Sequence, residues 1–457
     1  MEPLSQPISE LGTPAWNRLS GLLSSLKAQP ASPYPMTDPL TIDREYAHWR
    51  VRILTGMFIG YAIFYFCRKN LSAATPGLIA ELGYTKTEIG AIWSCLYLTY
   101  GLSKMVNGIL GDRANPRYLM AIGLILSAFA NLLFGISSSL GVLGFFWALN
   151  GWFQGMGWPP CARLLTHWYS QSERGTYWGI WNMAHQIGGG CILILGGFLT
   201  EHWGWRWSFF IPALIAFLTS ALLIERLRDT PESLGLPSIE HYRQEAPPVA
   251  SDTPPGSFHG VIRNPKIWFL ALANFFVYLV RFGAMDWAPT FLVDVKHSSI
   301  GGATLKTAGF EFVGIAGALA AGWVSDRYFK GRRAWVNVIY MFALAFVVLE
   351  FWMIPAGYPL LDAAALSAVG FLVYGPQMLV GVAAADLGGK AAAASATGFT
   401  GLFGYLGSIV SGIGTGWIVD HWGWKGGFIF FFGAALTGAI LFLFTREDRP
   451  TPAHAAA

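Results

Sequence analysis

Charge is scarce in this chain. Asp, Glu, Lys and Arg make up 12% of its 457 residues, while 54% are hydrophobic; a soluble domain is about one-quarter charged. So little polar surface cannot cover a water-soluble globule of this size, and that class is excluded. Cysteine is almost missing too. Cys67, Cys95, Cys161 and Cys191 stand singly in apolar surroundings without metal-ligand spacing, so they read as small core residues. No nucleophile–base constellation, metal spacing or nucleotide motif occurs, which argues against an enzyme and leaves no cofactor expected. The glycine-rich runs follow no strand and precede no GK[ST], so they are not phosphate loops. Gly151, Gly155 and Gly188–Gly190 read instead as points of close helix packing. No basic cluster points to nucleic acid. The first 50 residues lack the basic segment and short apolar core of a cleaved signal peptide.

What the chain has is apolar length. Twelve runs of about 20 residues, enough to cross a bilayer as helices, cover roughly 52–75, 89–111, 117–136, 139–166, 176–199, 207–227, 266–293, 303–325, 334–354, 359–384, 392–418 and 426–445. They are continuously apolar, unlike the alternating ten-residue strands of a membrane barrel. An all-α integral membrane protein of twelve transmembrane helices is therefore expected. Of its 30 Lys and Arg, 21 fall in the tails and the even-numbered connections, and only Lys86, Arg206, Lys296, Lys306 and Lys425 fall on the opposite side. Basic residues concentrate in the cytoplasm, which puts both termini there and predicts a multi-pass inner-membrane protein.

The polar stretch 229–262, rich in Pro, Ser and Glu, reads as a cytoplasmic linker between two pseudo-symmetric six-helix bundles, 51–228 and 263–446, with tails at 1–50 and 447–457. Internal repetition supports that division. GILGDR (108–113) matches GWVSDR (322–327), with Asp112 and Asp326 214 positions apart. His202-Trp-Gly-Trp-Arg206 matches His421-Trp-Gly-Trp-Lys425 at an offset of 219. Arg68 and Arg281 stand 213 apart. Duplicated transporters hold their substrate at the repeat interface near the midplane.

Four cations lie inside membrane runs: Arg68, Lys69, Lys104 and Arg281. A charge there costs about 2.5–3.5 kcal/mol on insertion scales, so each needs a partner. Pairing with an acid or snorkelling to the surface accounts for Lys69. The other three share helix faces with polar groups: Tyr61, Tyr65 and Arg68 at i, i+4, i+7; Tyr100 and Lys104 at i, i+4; Tyr278 and Arg281, and Asn182 and His185, at i, i+3. Acids at that depth are fewer, Glu311 and Asp286. The pattern predicts a net-positive cavity that needs an anion. Arginine's planar fork favours phosphate, although carboxylate or sulfate satisfies the same argument.

At these residues the chain resembles the organophosphate:phosphate antiporters of the major facilitator superfamily. The matching stretches include GYAIFYFCRKN (60–70), GWFQGMGWPPCARLL (151–165), WNMAHQIGGG (181–190), VYLVRFGAMDW (277–287), FLVYGPQMLVG (371–381) and TGFTGLFGYLG (397–407). The resemblance implies the major facilitator fold and exchange of a sugar or glycerol phosphate for inorganic phosphate. It implies that Arg68 and Arg281 are the paired phosphate-binding arginines, with Lys104 and His185 as auxiliary cations. Tyr61, Tyr65, Tyr100, Asn182, Tyr278, Tyr374 and Tyr405 match cavity-lining positions, and Glu311 an acidic position that partners a basic residue during the cycle. IDREYAHWR (42–50) and YGPQMLVGVAAAD (374–386) look closest to the branch that includes hexose-phosphate sensors. Against the hexose-phosphate carriers, no charged residue falls between Lys390 and Asp420.

The expected function is exchange of a hexose phosphate, glucose 6-phosphate foremost, for inorganic phosphate by alternating access. The alternatives are a membrane sensor acting on a signalling partner and a glycerol 3-phosphate:phosphate antiporter. Asp112, Arg113, Asp326, Arg327, Glu173 and Arg174 read as conformational latches at the cytoplasmic face. His185 either changes protonation during the cycle or stays a neutral hydrogen-bonding group. The expected partners are the sugar phosphate, inorganic phosphate and the bilayer.

Overall fold

The computed structural model describes residues 26–111, 113–245 and 258–446, and among them it is almost entirely α-helical. The first half runs α1 (Pro39–Leu82), α2 (Lys86–Gly111), α3 (Pro116–Gly135), α4 (Leu140–Gln154), α5 (Trp158–Trp168), α6 (Gln171–Trp203) and α7 (Trp207–Arg226). Two short helices, α8 (Ile239–Arg243) and α9 (Phe258–Arg263), lie within the linker and at its end. The second half runs α10 (Pro265–Asp294), α11 (Ile300–Arg327), α12 (Arg333–Met353) and α13 (Pro359–Leu443).

Among the described residues nine helical segments are long and apolar enough to cross a membrane. α2 and the α4–α5 pair complete the first half, and α13 is folded into separate legs, so twelve crossings fit. The folding of α13 is visible in its own contacts. A Cβ at Gly426 would sit 3.1 Å from a methyl of Ile418, eight residues back, where a straight helix separates the two by about 12 Å. Gly423, at φ +64°, makes that bend. A Cβ at Gly388 would sit 3.0 Å from that of Ala396 and marks the other.

Two expectations shift. The run 139–166 is not one helix: it breaks at 155–157 and restarts at Trp158 with Pro159 and Pro160 in its first turn. Proline lacks the N–H that a continuous helix needs and suits a helix start. The first helix begins at Pro39, inside the stretch read as a tail. Asp38 caps it by accepting from Thr41 N at 3.1 Å. Forty-four residues span about 66 Å, twice a hydrocarbon core, so the start of α1 stands clear of the membrane. There Tyr46 stacks on Tyr242, with ring centroids 4.0 Å apart, and donates to Pro237 O at 2.6 Å. The linker's first part is thereby stitched to the first half.

Each half has its own apolar core, one around Phe64, Leu124 and Trp168 and one around Leu270, Leu344 and Phe428. The halves meet along α2 with α13, α6 with α11 and α1 with α10. Their contacts gather at the end away from the termini and around a cavity near mid-height. At that far end, Asp420 accepts from Lys86 N (3.1 Å), Thr87 N (2.7 Å) and Thr87 Oγ1 (2.6 Å), capping α2 from the opposite half. Glu201 accepts from Gly301 N and caps α11 in the mirror sense. Lys86 also pairs with Asp294 at 3.0 Å. A Cβ on Gly90 would lie 2.3 Å from Gly412 O, so glycine is what lets α2 and α13 touch backbone to backbone. The cavity therefore opens toward the end that carries the termini and the linker.

Candidate functional site

The cavity is lined by both halves. α1 supplies Tyr61, Tyr65 and Arg68; α2 supplies Tyr97, Tyr100 and Lys104; α5 supplies Trp158; α6 supplies Asn182 and His185. From the other half come Tyr278, Arg281 and Phe282 of α10, with Gln377 and Tyr405 of α13. Tyr374 stands just behind them. It accepts from Arg281 Nη2 at 2.9 Å and donates to Glu311. Each helix turns one polar stripe inward because its other faces meet lipid or the apolar core of its own half.

The two arginines are buried, Arg68 at 4% exposure and Arg281 at 2%, and among the described residues neither has an acid in contact. Arg68 Nε donates to Gln154 Oε1 at 3.1 Å, and its guanidinium lies 4.2 Å from the Tyr100 ring centre and 4.7 Å from that of Tyr65. Arg281 lies 4.5 Å from the Phe282 ring and 4.7 Å from that of Tyr374. Aromatic faces attract cations without neutralising them. Arg68 Nη2 and Arg281 Nε are shielded from solvent and have no hydrogen-bond partner among the described residues. Buried donors without partners are costly. Here they belong to two arginines that line one cavity from opposite halves.

His185 is oriented by its own helix. Its Nδ1 lies 2.5 Å from Asn182 O; a carbonyl only accepts, so Nδ1 carries the hydrogen. Nε2 is left without a partner among the described residues. It can donate to an anion only when the ring is protonated. Lys104 donates to Tyr405 OH at 3.4 Å and rests 5.0 Å from the Trp158 ring centre.

Lys69 takes the other fate foreseen for it, an acid partner. Fully buried, it pairs with Asp286 of the opposite half at 2.6 Å, and Tyr97 donates to the same carboxylate. This ion pair stands outside the cavity's lining, and in it the charge of Asp286 is matched by Lys69. Glu311 is buried in α11, where its Oε1 has no partner; a Cβ on Gly189 of α6 would meet that atom at 3.0 Å.

The expected latch residues lie elsewhere. Glu173 accepts from Arg50 at 2.5 Å and from Arg243 of α8 at 2.8 Å, tying the linker to α1 and α6. Arg174 donates to the carbonyls of Tyr169 and Thr166. Arg113, Asp326 and Arg327 are exposed, and Asp112 lies outside the described residues.

Sequence spacing missed Tyr97, Trp158, Phe282 and Gln377. The signals were present for two of them: Tyr97 is seven residues before Lys104, and Gln377 three after Tyr374, each on a shared face. Phe282 and Trp158 carry no such mark.

Two helical halves around a cation-lined cavity define a membrane transporter fold. Residues 57–412 match the family described as Major Facilitator Superfamily. A probable hexose phosphate transport protein of Chlamydia pneumoniae is 44% identical over 423 residues, covering 89% of this chain and 93% of that protein. The glycerol-3-phosphate transporter of Bacillus subtilis is 44% identical over 432 residues, covering 91% and 96%. The membrane sensor protein UhpC of Escherichia coli K12 is 40% identical over 440 residues, covering 94% and 100%. The crystal structure of a bacterial homologue of the lysosomal transporter Spinster, described as inward-facing and unoccupied, superposes with a TM-score of 0.73 at 16% identity, covering 88% of this chain and 99% of that one. The chain belongs to the Major Facilitator Superfamily, within its organophosphate:phosphate antiporter branch. It is a multi-pass membrane protein, and the family's members are transporters rather than enzymes.

Proposed function

We propose that the protein exchanges a sugar phosphate, glucose 6-phosphate or another hexose phosphate, for inorganic phosphate across the inner membrane, with both termini cytoplasmic. The observation that carries this reading is the pair of buried arginines, Arg68 and Arg281, which line one cavity from opposite halves and each keep a nitrogen without a hydrogen-bond partner among the described residues. A phosphate group has enough oxygens to take hydrogen bonds from both at once. Bridged by it, the halves are drawn together; without it, two like charges at close range oppose closure. The empty carrier then seldom reorients, and exchange becomes obligatory. The contacts gathered at the far end correspond to a carrier open toward the cytoplasm. Tyr61, Tyr65, Tyr100, Lys104, Asn182, His185, Tyr278, Tyr374 and Tyr405 line or support the substrate.

Counterflow into phosphate-loaded proteoliposomes tests this, with glucose 6-phosphate, glycerol 3-phosphate, phosphoglycerate and phosphoenolpyruvate outside. Arg281→Lys keeps the charge but loses the fork, and counterflow should vanish while the protein still folds. Exchange at the wild-type rate by that variant would sink the account. The similarity to a membrane sensor favours one second reading: the same cavity binds an external hexose phosphate and reports it to a signalling partner. Saturable binding without counterflow would select it.

A further inference from the structure

The cavity has two levels. At the deep level stand Arg68, Arg281, His185 and Tyr374. One helical turn nearer the mouth on each helix stand Lys104 after Tyr100, Asn182 before His185, and Gln377 after Tyr374, with Trp158 beside Lys104. The rise over three residues is about 4.5 Å, so a phosphate held at the deep level presents its organic part to this upper ring.

Most of that ring has an ordinary role. Lys104 is occupied with Tyr405 and Trp158. Gln377 is different: it lines the cavity, yet its Oε1 is shielded from solvent and accepts no hydrogen bond from any described residue. An amide presents one acceptor and one donor side whichever way it is turned. A shielded acceptor without a donor is a cost unless the ligand supplies that donor.

We propose that Gln377 is the residue that reads the organic part of the substrate, by hydrogen-bonding to one of its hydroxyl groups. The inference rests on a phosphate group seated at Arg68 and Arg281. It assigns the ligand to the polyhydroxylated phosphate esters. Inorganic phosphate, held at the deep level, leaves the amide unanswered. A sugar ring bears several hydroxyls, one of which has to meet the amide for the cost to be lifted. Gln377 thus separates the two partners of an exchange, which must share the arginines but differ above them.

Equilibrium binding to the full-length detergent-solubilised protein tests this without requiring transport. Dissociation constants would be measured for glucose 6-phosphate, its single deoxy analogues and inorganic phosphate. Gln377→Leu should raise the ratio of the glucose 6-phosphate constant to the phosphate constant roughly tenfold, the loss of one hydrogen bond that leaves a buried group unpaired. In the wild type, one deoxy analogue should bind roughly tenfold more weakly than the parent, and the variant should bind parent and analogue alike. An unchanged ratio would overturn the proposal. Should Gln377→Leu fail to fold, the wild type still decides: equal affinity for every deoxy analogue overturns it. Absence of any binding of phosphate or its ester overturns the arginine site itself, an outcome distinct from an unchanged ratio.

Discussion

The helix caps that cross between the halves make a quantitative prediction. Asp420 holds two backbone N–H groups and one hydroxyl at the start of α2, and Glu201 holds the Gly301 N–H at the start of α11. Both contacts exist only while the far ends touch, so their loss falls wholly on that state. Replacing a cap by alanine costs about 1 kcal/mol, which is roughly a fivefold shift in a two-state ratio. The caps sit on different helix pairs, so their effects add. Asp420→Ala with Glu201→Ala should move the ratio by about 2 kcal/mol, or roughly 25-fold, toward opening at the far end. Spin labels at Ser139 and Tyr358, on opposite halves at that end, would read the two populations by double electron–electron resonance. Each single variant should give about the square root of the double's shift. A double variant within twofold of the unsubstituted protein would refute the claim that these caps bias the conformation.

Two further outcomes follow from buried groups. Lys69→Ala leaves Asp286 charged and unpaired and should cost about 3–5 kcal/mol in thermal or denaturant stability, while adding Asp286→Ala should recover most of it; equal losses in the single and double variants would show that the pair is not the cause. The Nδ1–H of His185 is committed to Asn182 O, so its Nε2 meets an anion as a donor only on protonation; whatever part of the pH dependence of anion binding belongs to that proton should be absent in His185→Gln, whose amide donates at any pH. An unchanged profile in that variant would remove histidine from the process.

The sequence made the cavity's inner stripes legible because cost and spacing both speak along one helix. Arg68 with Tyr61 and Tyr65, Lys104 with Tyr100, and Arg281 with Tyr278 are expensive or periodic, and the structure brings them to one space. Contacts across the interface left no such trace. Glu201 and Asp420 precede the repeated His-Trp-Gly-Trp stretches, yet nothing in the repeat tells which helix end they cap. A neutral amide such as Gln377 costs little on any scale and stays silent until its unpartnered oxygen is seen. The break between α4 and α5 was written in Pro159 and Pro160 and was hidden by the apolar residues around them.

The pairing of Lys69 with Asp286 also sets how the cavity meets an electric field. Those two charges cancel, leaving Arg68, Arg281 and Lys104 against the carboxylate of Glu311, a surplus of two positive charges when His185 is neutral. In the proposed exchange a phosphate dianion would make the loaded centre electrically neutral. Each elementary charge moved across 100 mV is worth about 2.3 kcal/mol, so the membrane potential acts on the empty centre and has no purchase on the loaded one. On that reading, reorientation with cargo should proceed at the same rate in energised and depolarised membranes.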